Sequence, residues 1–460
     1  MQIRLLDQGA VGDGASFDTQ AIQDSIDLIS ANGGGRLIFD SGFTFKSGSL
    51  VIKAGVELHL EANSVLLASG DYEDYLVEHS IPAITHGFIE ETVLPIRAFI
   101  SGYKAHEARI SGAGTISGNA DDFILKVGEH IHEMRAPKGG KSQYLERPFT
   151  IFLIDSQNVS LSDFTIRDPA FWALRLTGCN DLRIIGVKIL TDLKVPNADG
   201  IDIDRCQRVT ISGCELVTAD DCISLKSCSE TAIFGDVADV KISDCDMTTR
   251  SGAITLGTES VGNIRGVLVE NCRVWQSHRG FAVRAREGGV IEGIVFRDSS
   301  LQTQTFSPSW WGHGEALHVT AFAWNEPGFL FGGNPERLLC GYVKDIIFEN
   351  LEVTTEAGTL VWAQKRGLIS GVKFRNITQR MEINSQWTAR IDLRPNDVTP
   401  FVERSHNGFE IVNSDEVVLE SVLLTWRLKD RANYGQVVHS ENSSLQAEVT
   451  EISPREEQIS

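Results

Sequence analysis

The chain is 460 residues long, 42% hydrophobic and 23% charged, with 42 basic against 62 acidic residues and a net charge of −20. A balance this acidic excludes nucleic acid and anionic membranes as natural partners. No stretch approaches the roughly 20 apolar residues of a transmembrane helix.

The first residues, Met1-Gln-Ile-Arg-Leu-Leu-Asp-Gln-Gly9, hold no apolar run of signal-peptide length. The expectation is a cytoplasmic protein, or an exported one whose signal has been removed. Residues 1–50 read as a cap region. Asp18 or Thr19 can N-cap a helix through Ala21, Ile22, Ile26 and Ile29 that Asn32-Gly33 ends. Its apolar stripe is placed to close the open end of a stack of strands.

From about Leu50 to Leu424 the chain repeats itself. A short phrase in which β-branched residues alternate with polar ones recurs around Val159, Leu182, Val209, Val240, Val267, Ile294, Ile346, Val372 and Val417. Most intervals fall between 23 and 31 residues, with a double-length gap of 52 between Ile294 and Ile346. Self-similarity at this period marks a solenoid, and strand-like units with almost no helical pattern between them mark a parallel β-helix. The reading is an all-β, single-stranded, right-handed parallel β-helix. It forms one domain over 1–460, with cap 1–50, coils 50–425 and a C-terminal tail or cap 426–460.

Eight cysteines, Cys179, Cys206, Cys214, Cys222, Cys228, Cys245, Cys272 and Cys340, include no zinc-type CxxC pair. Several recur at comparable places in successive repeats, so they read as reduced, buried ladder residues, with disulfides in an exported form as the alternative. Two stretches interrupt the repeat: Asp121 to Glu146, with His130, His132, Arg135, Lys138 and Lys141, and the double-length gap with Trp310-Trp311-Gly-His313-Gly-Glu315. Long insertions on a rigid solenoid line its binding face. The tryptophans read equally as sugar-stacking platforms and as core.

The chemistry lies in Asn197-Ala198-Asp199-Gly200-Ile201-Asp202, followed one repeat later by Asp220-Asp221-Cys222. On stacked coils, Asp199 and Asp221 would occupy adjacent rungs. Asp220 and Asp221 cannot both face solvent from one regular strand, so the pair belongs at a strand end or bend. Inverting glycoside hydrolysis needs one protonated carboxyl and one carboxylate roughly 6.5–9.5 Å apart, and crowding keeps a proton on one of several acids. A calcium site using Asp199, Asp202 and Asp204 is a further reading.

These motifs, continued by Ile223-Ser-Leu-Lys226-Ser, resemble the signature of glycoside hydrolase family 28, the polygalacturonases and their pectin-cleaving relatives. Gly9-Ala-Val-Gly-Asp-Gly14, Gly112-Ala-Gly-Thr-Ile-Ser-Gly118, Arg147-Pro148 and Asp168-Pro169-Ala-Phe-Trp172 extend the resemblance over nearly the whole chain. The resemblance implies Asp220 as general acid, and Asp199 and Asp221 as the residues that hold and activate water. It places Asn197 and Asp202 as orienting or substrate-binding residues and Lys226 near the cleft, where pairing with Asp220 or Asp221 is the alternative. It implies single-step inverting hydrolysis with neither metal nor organic cofactor.

The chain departs from the family's pattern at two places. Ser251 stands where those enzymes carry the histidine of Gly-His-Gly, and Ala282-Val283-Arg284 stands where they carry Arg-Ile-Lys. Losing a cation from a carboxylate pocket removes a charge-assisted contact. The expectation is weak action on plain polygalacturonate and a neutral or differently placed unit, as in rhamnogalacturonan, beside the scissile bond. Ser251, Arg284 and Arg286 remain substrate-binding candidates, with surface arginines as the alternative for the last two. The function read here is hydrolysis of a pectin-type oligo- or polysaccharide, exo-acting if the insertions block one end of the cleft. A calcium-dependent β-helix lyase and a non-catalytic carbohydrate-binding solenoid are the alternatives.

Overall fold

The computed structural model describes residues 1–76, 97–124, 147–307, 310–323, 339–394, 396 and 399–452. The insertion residues His130, His132, Arg135, Lys138 and Lys141 lie outside the described residues. The chain divides into two compact units, Met1–Asp220 with Ile233–Gly235, and Asp221–Ala232 with Asp236–Ser460. Each is a parallel β-helix.

In the first unit, Gln2–Arg4, Gly35–Phe39, Val56–Leu60, Arg109–Ser111, Ser160–Ser162, Asn180–Ile185 and Gln207–Ser212 pair in that order, all parallel. Beside them runs a second column from Asp13–Phe17 through Thr44–Ser47 and Val65–Ala68 to Glu215–Thr218. A third column contains Leu50–Val51, Ala98–Tyr103, Phe149–Ile154, Leu174–Thr177 and Ile201–Asp204. Each turn of the chain thus contributes one strand to each of three faces, and alternation sends every second side chain inward.

The helix spans Thr19–Ala31 and buries Ile22, Ile26 and Ile29 against Gly35–Phe39 and its neighbours. The capping chemistry differs from the sequence reading. Asp18 sits at the N-cap position, but its carboxylate accepts from Val11 N (2.6 Å) and Gly12 N (3.1 Å), while Thr19 Oγ1 accepts from Gly48 N (3.0 Å). Both side chains therefore fasten the helix to neighbouring loops and leave its own first amide groups alone.

In the second unit, Val237–Ser243, Ile264–Glu270, Val290–Thr303, Tyr342–Thr355, Ile369–Met381, Val417–Trp426 and Leu445–Ile452 form one parallel succession. Ile223–Ser227, Gly252–Ser260, Arg279–Ala285, Leu317–Ala321, Thr359–Ala363, Phe409–Val412 and Val438–Glu441 form another. The register follows the sequence repeat: Val240 pairs with Val267, Val267 with Ile294, Ile294 with Ile346, and Ile346 with Val372. The double-length gap is thus one turn carrying an insertion.

Inside this unit Phe281, Phe296, Phe348 and Phe374 stack with ring centroids 4.8, 5.0 and 5.0 Å apart and interplanar angles of 18°, 7° and 7°. Phe296, Phe348 and Phe374 lie in register on paired strands, and their separations match the roughly 4.8 Å between such strands; Phe281 joins the stack from the other strand succession. All eight cysteines are thiols, seven of them buried. Cys179 N donates to Cys206 Sγ at 3.3 Å, the ladder contact that the repeat spacing predicts.

Candidate active site

In the first unit the segment 191–200 leads into the strand Ile201–Asp204. It is tied to the preceding rung by Ala173 N donating to the Asp199 carbonyl (2.9 Å) and Leu174 N to the Gly200 carbonyl (3.0 Å). Arg147 secures the same segment. Its Nη1 donates to the Ala170 and Pro196 carbonyls (3.0 and 2.6 Å), its Nη2 reaches Asn197 Oδ1 (3.3 Å), and its guanidinium lies 4.7 Å from the Phe171 ring centroid. Asn197 adopts φ 56°, a left-handed conformation that asparagine tolerates better than most residues, and it turns the chain so that Asp199 follows.

Asp220 N donates to the Ala198 carbonyl at 3.5 Å. Asp199 and Asp220 each bring a carboxylate oxygen within 4.8 Å of the other, and both are buried. Oxygens this close also lie within the span of one bound cation. Asp202 lies in register with Arg175 and is fully buried.

Asp204 belongs to the structure of the rung. Its carboxylate is 3.4 Å from Arg175 Nη2, and that guanidinium lies 5.7, 5.1 and 5.2 Å from the ring centroids of Phe149, Phe152 and Trp172.

The chain runs from Glu215–Thr218 through residues 219–222 to the strand Ile223–Ser227. The Asp220-Asp221 pair therefore sits in the bend between strands, as alternation requires. In the second unit Asp221 is buried, and its Oδ1 accepts from Ser251 Oγ (2.7 Å) and Gly252 N (2.8 Å). Ser251, expected as a substrate contact, spends its hydroxyl on Asp221. The main chain reinforces this: Cys222 N donates to the Gly252 carbonyl (3.0 Å) and Arg279 N to the Ser251 carbonyl (2.8 Å).

Lys226 is 6% exposed, and its Nζ pairs with Glu259 at 3.2 Å. Burial alone would raise the Glu259 carboxyl, but the charges of Lys226 and Arg284 outweigh it and hold the group below its ordinary value. Arg284 and Arg286 are 5% and 0% exposed, which corrects the surface-arginine alternative. Burial pulls Arg284 down to about 10.

Arg279 is equally buried. It pairs with Glu315 (3.4 Å) and Asp392 (3.3 Å), and these acids, with Asp221, outweigh burial and raise its pKa. Trp311 is half-buried, with its ring centroid 5.9 Å from the Arg284 guanidinium and 5.0 Å from that of Arg394.

Glu259, Arg279, His318, Asp392 and Arg394 were not singled out from the sequence. Glu259 had a readable signal, since it follows Gly257 at the end of the strand neighbouring Lys226. Asp392 and Arg394 had none, because Asp392 lies 113 residues from Arg279 and Arg394 lies 110 residues from Arg284.

The sequence profile of the glycosyl hydrolases family 28 matches residues 49–308. The chain belongs to glycosyl hydrolase family 28. Within this family it is 28% identical over 312 residues to a probable polygalacturonase of Vitis vinifera, covering 66% of this chain and 61% of that protein. It is 24% identical over 345 residues to an exo-poly-alpha-D-galacturonosidase of Dickeya chrysanthemi, covering 65% and 55%.

The chain thus spans about three-fifths of the length of the curated relatives it matches. The fold matches a Yersinia enterocolitica family 28 exopolygalacturonase with TM-score 0.72 at 18% identity, covering 98% of this chain and 79% of that one. A Thermotoga maritima exopolygalacturonase matches with TM-score 0.66 at 19% identity, covering 83% and 87%.

Proposed function

We propose that this family 28 chain hydrolyses glycosidic bonds of a pectic oligosaccharide from a chain end. The observation that carries the reading is the buried Asp199–Asp220 pair, two carboxylates within 4.8 Å inside the stretch that matches the family. A buried acid pair suits proton donation to a leaving oxygen coupled to activation of water. In this reading Asp220 donates its proton to the glycosidic oxygen. Asp199 and Asp221 orient a water and take its proton as it attacks the anomeric carbon, and the bond to the leaving sugar breaks. Ser251 and Gly252 fix Asp221 for that task.

The pectic substrate and the exo action are supported by the relatives, a probable polygalacturonase and an exo-poly-alpha-D-galacturonosidase. Ser251 and Ala282 leave no cation at the two positions where the family pattern has one. We therefore place a neutral unit beside the scissile bond, as in rhamnogalacturonan, and not in plain polygalacturonate.

The test is product analysis on defined homogalacturonan and rhamnogalacturonan oligosaccharides of equal length, with and without EDTA. The expected result is metal-independent release of units from one end, without ultraviolet absorbance from a 4,5-unsaturated uronate and with higher kcat/KM on the rhamnogalacturonan series. Calcium dependence with growing absorbance would replace hydrolysis by elimination. An early NMR time course tests the stereochemistry: the inverted anomer supports single-step hydrolysis, and the retained anomer overturns it.

A further inference from the structure

Between the strands Val290–Thr303 and Leu317–Ala321 the chain carries the insertion with Trp310-Trp311-Gly312-His313. Two successive amides of that insertion are gripped by carboxylates. Gly312 N donates to Asp392 Oδ2 at 2.8 Å, and His313 N donates to Glu315 Oε2 at 2.7 Å. The Arg279 guanidinium bridges the two acids, with Nη2 3.3 Å from Asp392 and Nε 3.4 Å from Glu315. Arg279, Glu315 and Asp392 are at most 2% exposed, so charges that would be costly alone are matched here. The insertion also passes close to the strand Arg279–Ala285: Gly312 has φ 97°, and a Cβ on it would lie 3.4 Å from both Arg279 Cβ and the His278 carbonyl oxygen.

Asp392 is the hub of this arrangement. Besides Gly312 and Arg279 it accepts from Arg394 N, Nε and Nη2, each at 2.9 Å. Burial alone would raise the Asp392 carboxyl, but Arg394 and Arg279 outweigh it and hold the group well below its ordinary value. The carboxylate has a fixed base. Its strand Ile391–Asp392 pairs antiparallel with Phe401–Val402, and Ile391 and Leu393 are buried with Phe322 and Leu360. Arg394 Nη2 in turn donates to the Trp310 carbonyl. The main chain is therefore pinned on both sides of Trp311, by Arg394 before it and by Asp392 after it. Trp311 itself is half-buried, with its ring beside Arg284 and Arg394. A large apolar side chain on a pinned main chain loses little freedom when a ligand packs against it.

We propose that Asp392 is a positioning residue for substrate: by gripping Gly312 and orienting Arg394 it fixes Trp311 as an apolar wall of the sugar site, against which the C–H face of a pyranose ring packs. The wall stands at the strand whose Arg279 N donates to the Ser251 carbonyl, and Ser251 holds Asp221. Trp311, Gly312, Glu315, Asp392 and Arg394 all lie beyond residue 308, where the family match ends. The part played by Trp311 in turnover rests on the hydrolase reading; the clamp on its main chain does not.

The test labels the full chain with fluorotryptophan and assigns the Trp311 signal by Trp311→Phe. Asp392→Asn, or Gly312→Ala should the first fail to fold, is expected to shift that signal in fluorine NMR and to leave the signal of Trp172 in place. Gly312→Ala moves the same segment from the other side, because φ 97° is a conformation that side chains avoid. On rhamnogalacturonan-type oligosaccharides the variant should raise KM about tenfold, the scale of one lost aromatic contact. Its kcat should stay within about twofold of the parent's, since Ser251 and Gly252 still hold Asp221. Trp311→Ala should raise KM to the same extent, and joining it to the folded variant should add nothing. An unmoved signal, an unchanged KM, a fall in kcat at constant KM, or effects on KM that multiply in the double variant overturns the proposal. A shifted signal in a chain whose parent cleaves no pectic oligosaccharide sinks the hydrolase reading and keeps the clamp, whereas cleavage with an unmoved signal does the reverse.

Discussion

Ser251 Oγ donates to Asp221 Oδ1 at 2.7 Å, and the next amide, Gly252 N, donates to the same oxygen at 2.8 Å. A hydroxyl that the sequence offered to substrate thus orients a carboxylate. Hydrogen bonds to charged groups contribute about 1.5–3 kcal/mol, and about 1.4 kcal/mol is tenfold in rate. Ser251→Ala should therefore lower kcat by about 10- to 100-fold with KM nearly constant. Ser251→Thr, which keeps the hydroxyl, should retain most of the activity. A rise in KM at constant kcat in steady-state kinetics would return Ser251 to the substrate side.

The aspartates predict opposite effects on activity and stability. Asp199→Asn, Asp220→Asn and Asp221→Asn should each lower turnover by at least about two orders of magnitude, the scale of general acid–base loss. Asp199 and Asp220 place oxygens within 4.8 Å, and like charges this close repel. Neutralising either should leave the melting temperature unchanged or raise it. A melting temperature that falls by more than about 5 °C in both would recast the pair as structural.

Arg175 makes the reverse prediction. Its guanidinium is enclosed by Phe149, Phe152 and Trp172 and lies 3.4 Å from the fully buried Asp204. Removing one partner of a buried pair costs about 3–5 kcal/mol because the other charge is left behind. Arg175→Met should therefore destabilise the first unit by about that amount in urea titration. Arg175→Met with Asp204→Leu should recover much of the loss, and no recovery in the double variant would argue against the pairing.

Two buried histidines set an acid limit on stability. Burial, the largest cause, reinforced by neighbouring basic groups, lowers His278 and His406 to about 3, although His278 also gains from donating Nδ1 to the Arg250 carbonyl at 2.9 Å. An unfolded histidine titrates near 6.5. Between about pH 6.5 and pH 3 the unfolded chain takes up protons that the folded chain refuses. Their contribution is complete above about pH 6.5, shrinks as pH falls through that window and levels off below about 3, with a slope of up to about 1.4 kcal/mol per pH unit for each residue. Thermal melts of His406→Gln across pH 4–7 should show a shallower slope than the parent; an identical slope would remove His406 from the account.

Local periodicity made the sheet register legible. The apolar phrases at Val240, Val267, Ile294, Ile346 and Val372 fall opposite one another because parallel strands stack like on like. The same logic put the Asp220-Asp221 pair in a bend between strands. What periodicity could not carry is the partner choice of side chains at the rims. Asp18 serves Val11 and Gly12, Ser251 serves Asp221, and Arg284 meets Arg394 from a segment 110 residues later. Such contacts depend on where irregular segments return to the strands, which no spacing in the sequence records.

The stacked rings of Phe296, Phe348 and Phe374 restrict how such a chain can change its length. Each ring sits one strand spacing from the next, so removing a whole turn brings two rings back into contact, whereas removing one residue within a strand flips every later side chain to the other face. Growth and loss in this lineage are therefore expected in quanta of complete turns, with finer variation confined to the loops that leave the rungs.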